Sequence, residues 1–230
     1  MKIERTLFWF RDGHEKLLHL NEYFYGLSVL LNNLLNDKYE GKRIQFINID
    51  FFTDKTYEIF PAIEKEKLSF FSQDLRYNGF FDEEDLYKMV SSEKKKYIWE
   101  KAYKYLIDAA EISSNLHLQE AVKYAYLEGL KRDLVADYIT KSIDFEREGE
   151  NYVASVWISF QEDKMYSKFT LEKDDHIIFE KNIAETKSGT EFFLEIYKKI
   201  TVDKDFITIY GPKDVDHLPL KISFSEMFTV

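Results

Sequence analysis

The chain contains no cysteine. That absence excludes disulfides, thiol nucleophiles, iron–sulfur clusters and the common zinc sites together. Glycine and proline are scarce, at 8 and 3 of 230 residues. Neither G-x-x-x-x-G-K-S/T nor G-x-G-x-x-G occurs, so no glycine-rich loop is available to cradle a phosphate. G-x-S-x-G and the kinase motif set are also missing, which removes the hydrolase elbow and the protein kinases. Long apolar runs are lacking too. The longest nearly apolar stretch, residues 23–31, is interrupted by Gly26 and Ser28. It is less than half of what a membrane span needs. An acid stands in Met-Lys-Ile-Glu-Arg where a signal peptide would begin its apolar run. The expected location is therefore the cytoplasm, with no membrane partner.

Hydrophobic residues make up 45% of the chain and charged residues 32%, the balance of a folded protein. The formal net charge is −10 and is unevenly distributed. Residues 1–136 carry 20 basic and 23 acidic side chains, and residues 137–230 carry 12 and 19. An acidic surface repels nucleic acid and attracts basic proteins or cations, so no nucleic-acid partner is expected. The one basic run, Lys94-Lys95-Lys96, is flanked by Glu93 and Glu100 and reads as a solvated helix face. Aromatic residues reach 17% and are expected to fill the core, with a few left as interface anchors.

Periodicity supplies the fold class. Residues 2–10 read as a strand. Asp12 and Glu15 have capping-box spacing before a long helix running to Leu35, whose stripe is Leu17, Leu20, Phe24, Leu27, Leu31 and Leu34. Residues 43–52 read as an interior strand, apolar on both faces towards its end. One or two further strands are expected between residues 56 and 71, then a loop holding Asn78 and Gly79. Helices are expected over 82–113, with a break at Ser91-Ser92, and over 116–135. Strands follow at 138–146, 151–161, 164–173 and 176–182, joined by turns short enough to force an antiparallel meander. Ser188 and Glu191 have capping-box spacing before a short helix carrying Phe192, Ile196 and Ile200. Two last strands lie at 206–210 and 218–224. The expectation is an α+β fold, mainly antiparallel sheet with several amphipathic helices in the N-terminal half. It is read as a single unit over 1–230, with a subdivision into a helix-rich 1–136 and a β-rich 137–230.

The search for chemistry yields few candidates. His14 and His19 bracket an H-E-x-x-x-H run. Five helical steps would place the two rings about 140° apart, too far round the helix to share a metal. His176 follows Asp174-Asp175, and His217 follows Asp214 and Asp216, but both clusters fall in expected turns, where aspartate is common. His117 stands between leucines and reads as structural. Asp50 ends the strand INID, a place where a carboxylate can hold a metal or simply open a loop. No catalytic residue, metal site or cofactor is assigned.

Three functional readings remain. The first is an acidic intracellular protein-binding protein, such as a bacterial immunity protein or antitoxin neutralising a basic toxin. Its contact would be the acidic turns, Asp174, Asp175, Asp214 and Asp216, with Trp157 as an anchor. The alternatives are a metal-assisted enzyme whose Asp and His residues meet only in the fold, and an accessory subunit docking through the long helix. The oligomeric state is left open.

Overall fold

In a computed structural model of the chain, which describes residues 1–228, the interior strand is β3, Phe46–Phe52. Six of its seven residues are buried. It lies between two parallel neighbours, β1 (Arg5–Asp12) and β5 (Asp74–Phe80). Two antiparallel edge strands, β2 (Glu15–Lys16) and β4 (Lys67–Phe71), complete the order β2-β1-β3-β5-β4. Seven helices and twelve strands among the described residues give an α+β fold. The chain divides into two compact units, Met1–Ala136 and Asp137–Val230.

In the first unit, helices cover one face of the sheet. Alternation within each strand sends Phe8, Phe10, Ile47, Ile49, Phe51, Leu75 and Tyr77 to that face, and all are buried. The expected long helix is two helices, α1 (Leu18–Tyr23) and α2 (Tyr25–Asn36). Its stripe from Leu17 to Leu34 is buried, with Phe24 stacked 5.3 Å from Phe10. That surface is consumed by the sheet, so the docking helix imagined for an accessory subunit is not available. The first helix also starts later than capping-box spacing implied. Asp12 ends β1, where its carboxylate accepts a 2.7 Å hydrogen bond from the Thr53 hydroxyl and pairs with Lys55. The chain then reverses at Gly13, whose φ of +57° suits glycine.

One further expectation is narrowed and another corrected between residues 53 and 81. Residues from Asp54 to Ile59 form a helix, α3, capped by the Thr53 hydroxyl, so only β4 remains of the strands expected there. Asn78 and Gly79 lie within β5 and not in a loop. Asn-Gly favours turns, but here packing decides. A Cβ at residue 79 would overlap the Tyr105 ring, which crosses the strand at that point. The Tyr105 hydroxyl donates to the Phe80 carbonyl and accepts from the Phe80 N–H.

Tyr105 belongs to α5 (Ser91–Ile112), which follows α4 (Glu83–Lys88) after a break at Met89 and Val90, two residues before the one expected at Ser91-Ser92. Asp82 caps α4 and Asn115 caps α6 (Leu116–Lys131), each accepting from a backbone N–H three residues on. The apolar face of α5 includes Ile98, Trp99, Ala102, Leu106 and Ala109, all fully buried.

The second unit contains the meander: β6 (Tyr138–Arg147), β7 (Glu150–Phe160), β8 (Lys164–Lys173) and β9 (His176–Lys187), all antiparallel. A three-stranded sheet, β10 (Lys199–Val202), β11 (Phe206–Tyr210) and β12 (Leu220–Ser223), packs on one face of it. The Tyr197 hydroxyl, 2.5 Å from the Ser167 hydroxyl, and Phe224 of α7 (Phe224–Met227), 5.9 Å from Phe145, join the layers. The helix expected after Ser188 is only a 3-10 turn, Glu191–Glu195, without a side-chain cap. Phe192 is exposed, whereas Phe193, Ile196, Tyr197 and Ile200 are buried. Phe193 belongs to that turn and Ile200 to β10, with Ile196 and Tyr197 on the short stretch between them.

Gly79→Ala is expected to cost about 1–3 kcal/mol, the usual range for forcing a methyl into a packed site. Urea denaturation should show a lower midpoint with an unchanged slope.

Candidate functional site

Asp174 and Asp175 form the two-residue reversal between β8 and β9, with φ of +51° and +60°. Asp214 and Asp216 lie in the loop between β11 and β12. All four are exposed. They do not converge. Lys173 pairs with Glu150 at 3.3 Å, which sets the Asp174-Asp175 turn beside the β6–β7 turn. Arg147, at that same turn, donates to the Lys204 carbonyl at 2.9 Å and lies 3.9 Å over the Phe224 ring. The β10–β11 turn and the end of β12 are therefore at this end as well. β11 runs away from it, so the loop holding Asp214 and Asp216 is at the opposite end. Trp157 meets neither pair. It sits mid-strand on β7, half-buried, on the face away from the three-stranded sheet, and its indole donates to the Thr170 hydroxyl at 3.0 Å.

The turns gathered with Asp174 and Asp175 are themselves acidic, carrying Glu148, Glu150, Asp203 and Asp205. Directly after the reversal, Ile177 and Ile178 are 52% and 43% exposed. Two successive residues of a strand normally face opposite ways. Here the pairing with β8 slips, Ile177 lying opposite Glu172 and Phe179 opposite Leu171, so Ile178 is the extra residue of a bulge. The bulge leaves both isoleucines uncovered beside the acids.

The histidines are scattered. His14 lies in the β1–β2 reversal and His19 on α1, with its Nε2 2.8 Å from the Tyr87 hydroxyl. His117 is exposed on α6. His176 bonds the Asp174 carbonyl at 2.6 Å, an ordinary turn contact. Among the described residues, no three His, Cys, Asp or Glu side chains stand where they could hold a metal ion. No helix of the described residues is long and apolar enough to cross a membrane.

The remaining candidate, Asp50, occupies the face of the N-terminal sheet opposite the helices. Register places Trp9 and Asn78 on either side of it, and Asn48 beside Arg76. The Trp9 indole donates to Asn48 Oδ1 at 2.9 Å, and Asn48 Nδ2 donates to Asp74 Oδ1 at 2.7 Å. Arg76 Nε stands 3.2 Å from Asp50 Oδ2. Above these side chains is a cleft of about 540 Å³, lined also by Ala62 and Ile63 of the β3–β5 connection and by Leu18 and Asn21 of α1. Arg11 borders it with its guanidinium 5.9 Å from the Phe52 ring centre and 5.6 Å from that of Phe60. The electrostatic neighbours of Asp50 are Arg76, Arg11 and Asp74, with no histidine among them.

Asp50 is only 5% exposed, and burial raises its carboxyl from 3.8 to about 6. Arg76 and Arg11 oppose that rise and Asp74 adds to it. The fold thus holds this proton longer than an unfolded chain does. Stability falls as pH climbs between those two values, and the penalty is complete above the upper one. Residues that carry such a penalty while lining a cleft are candidates for function. Sequence reading singled out Asp50 but missed Trp9, Arg11 and Arg76. The alternation of Trp9 and Arg11 with Phe8 and Phe10 is the signal that was there to find. Asp50→Asn is expected to stabilise the protein by about 3 kcal/mol above pH 7 and by almost nothing below pH 4. Thermal melts of both proteins across that range measure the difference.

Comparison with protein-family models, with curated proteins and with solved structures finds no match to this chain.

Proposed function

We propose that the chain is a binding protein whose C-terminal unit engages a basic protein partner, as an immunity protein or antitoxin engages a toxin. The observation that carries the reading is the composite surface at one end of that unit: Asp174 and Asp175, then His176, then the uncovered Ile177 and Ile178. Acids alone steer a partner without holding it. Exposed apolar side chains beside them supply the buried area that charge cannot. The residues from 137 onward carry 19 acidic and 12 basic side chains, so the attraction extends beyond the contact. Asp214 and Asp216, at the far end, serve in this reading as long-range charge and not as contacts. Trp157 lies outside the surface.

The test is capture by the tagged full-length chain at low salt, with the bound proteins identified by mass. The expected result is one stoichiometric basic protein, released by added salt. It should be lost when Asp174→Lys and Asp175→Lys are combined, and kept when Asp214→Lys and Asp216→Lys are. With the partner in hand, the first pair of reversals should slow association by about tenfold at low salt, the difference closing as salt rises. Retention of the same protein by the Asp174→Lys/Asp175→Lys variant, with no change in rate, would sink the assignment.

A further inference from the structure

The N-terminal unit has a negative balance, with 20 basic and 23 acidic residues. The lining of its cleft departs from that balance. Arg11, Lys16 and Arg76 stand around it, and Asp50 is the only acid among the lining residues. Arg76 spends its Nε on Asp50, which leaves the terminal nitrogens of its fork. Arg11 is less engaged still. It rests against the Phe52 and Phe60 rings and donates no hydrogen bond to a protein acceptor among the described residues. A guanidinium held in place by aromatic faces, with its donors unspent, is already arranged to receive an anion.

Trp9 supplies the second half of the site. It is 38% exposed, and the 2.9 Å hydrogen bond from its indole to Asn48 fixes the ring. Its exposed surface is therefore ordered before any ligand arrives. On the other side of the cleft, Phe71 is 67% exposed on β4. A surface tryptophan and phenylalanine bordering a cationic cleft are costly to leave open to water unless something flat covers them. The volume of about 540 Å³ suits a ligand of one or two rings.

We propose that this cleft binds a compact organic anion built on an aromatic ring, its carboxylate or monophosphate held by Arg11 and Arg76 and its ring laid against Trp9. The site is independent of the partner surface on the C-terminal unit. Specificity comes from requiring both halves in one molecule. Neither the anion alone nor the ring alone spans the fork and the indole.

The test is a nuclear magnetic resonance titration of the full-length protein, following its three indole N–H signals. The probes are adenosine 5′-monophosphate and naphthalene-2-carboxylate, with inorganic phosphate and adenosine as the half-ligands. Saturable movement of the Trp9 signal by at least one aromatic anion is expected, while those of Trp99 and Trp157 stay still. The two anions separate a phosphate from a carboxylate preference. Arg11→Ala should weaken binding by about tenfold or more. Arg11→Lys, which keeps the charge without the fork, should recover only part of it. The proposal is overturned if neither anion moves Trp9 at millimolar concentration. It is equally overturned if phosphate or adenosine alone binds as tightly as the joined molecule, or if Arg11→Ala in a folded protein leaves the affinity unchanged.

Discussion

A strand held between two parallel neighbours must hide both of its faces, and β3 does so in two different currencies. One face presents Ile47, Ile49 and Phe51 to the helices, and its burial is that of an ordinary core. The other presents Asn48 and Asp50, which are 7% and 5% exposed. Those two can be buried only because the flanking strands bring them partners: Trp9 and Asp74 for the asparagine, Arg76 for the aspartate. The asparagine is well served by these contacts. For the aspartate they are not enough, since its carboxyl sits near 6 despite a guanidinium at 3.2 Å.

That view also explains why a cleft exists at all. The helices are committed to the apolar face, held there by contacts such as Phe10 on Phe24 and Tyr77 on Tyr105. The residues of the β3–β5 connection that line the cleft, Ala62 and Ile63 among them, cover the opposite face only in part. Polar side chains lying across a sheet tolerate such partial cover, whereas a second apolar face would have demanded another layer. The open face is thus a consequence of choosing Asn48, Asp50, Arg76 and Asn78 over leucines.

Much of the fold was legible because local pattern and global structure agree where packing is one-sided. The meander, α5 and α6 emerge from period and turn chemistry alone, although β9 runs five residues past its expected end and α6 stops four residues short of its own. Legibility fails where a distant residue overrides a local preference. Asn78-Gly79 reads as a turn until Tyr105 is known to cross it, and Asp12–Glu15 reads as a helix cap until Thr53 and Lys55 claim Asp12. The candidate cleft fails to show for a related reason. Its parts come from residues 9, 11, 50 and 76, and only the parallel pairing of β1, β3 and β5 sets them side by side. Hydrophobic period reveals that a segment is a strand and is silent on which strand lies next to it.

The C-terminal unit faces the opposite difficulty, that of an edge. β9 is twelve residues long and is the last strand of its sheet, a geometry that invites pairing with any extended chain. Slips in its pairing with β8 occur at two places, between Ser167 and Lys168 and between Leu171 and Glu172. Each interrupts the regular row of backbone donors and acceptors that strand addition would need. What the bulges take from the backbone they give to side chains, because the one at Ile178 is what leaves two isoleucines uncovered together. The partner proposed for this edge would therefore be selected by side-chain chemistry. In that proposal it would bring apolar surface for the isoleucines and positive charge for Asp174 and Asp175. A long unbroken edge would accept many extended chains. A bulged edge with acids at one end accepts few, and that narrowing fits the single partner proposed above better than a general liability to strand addition.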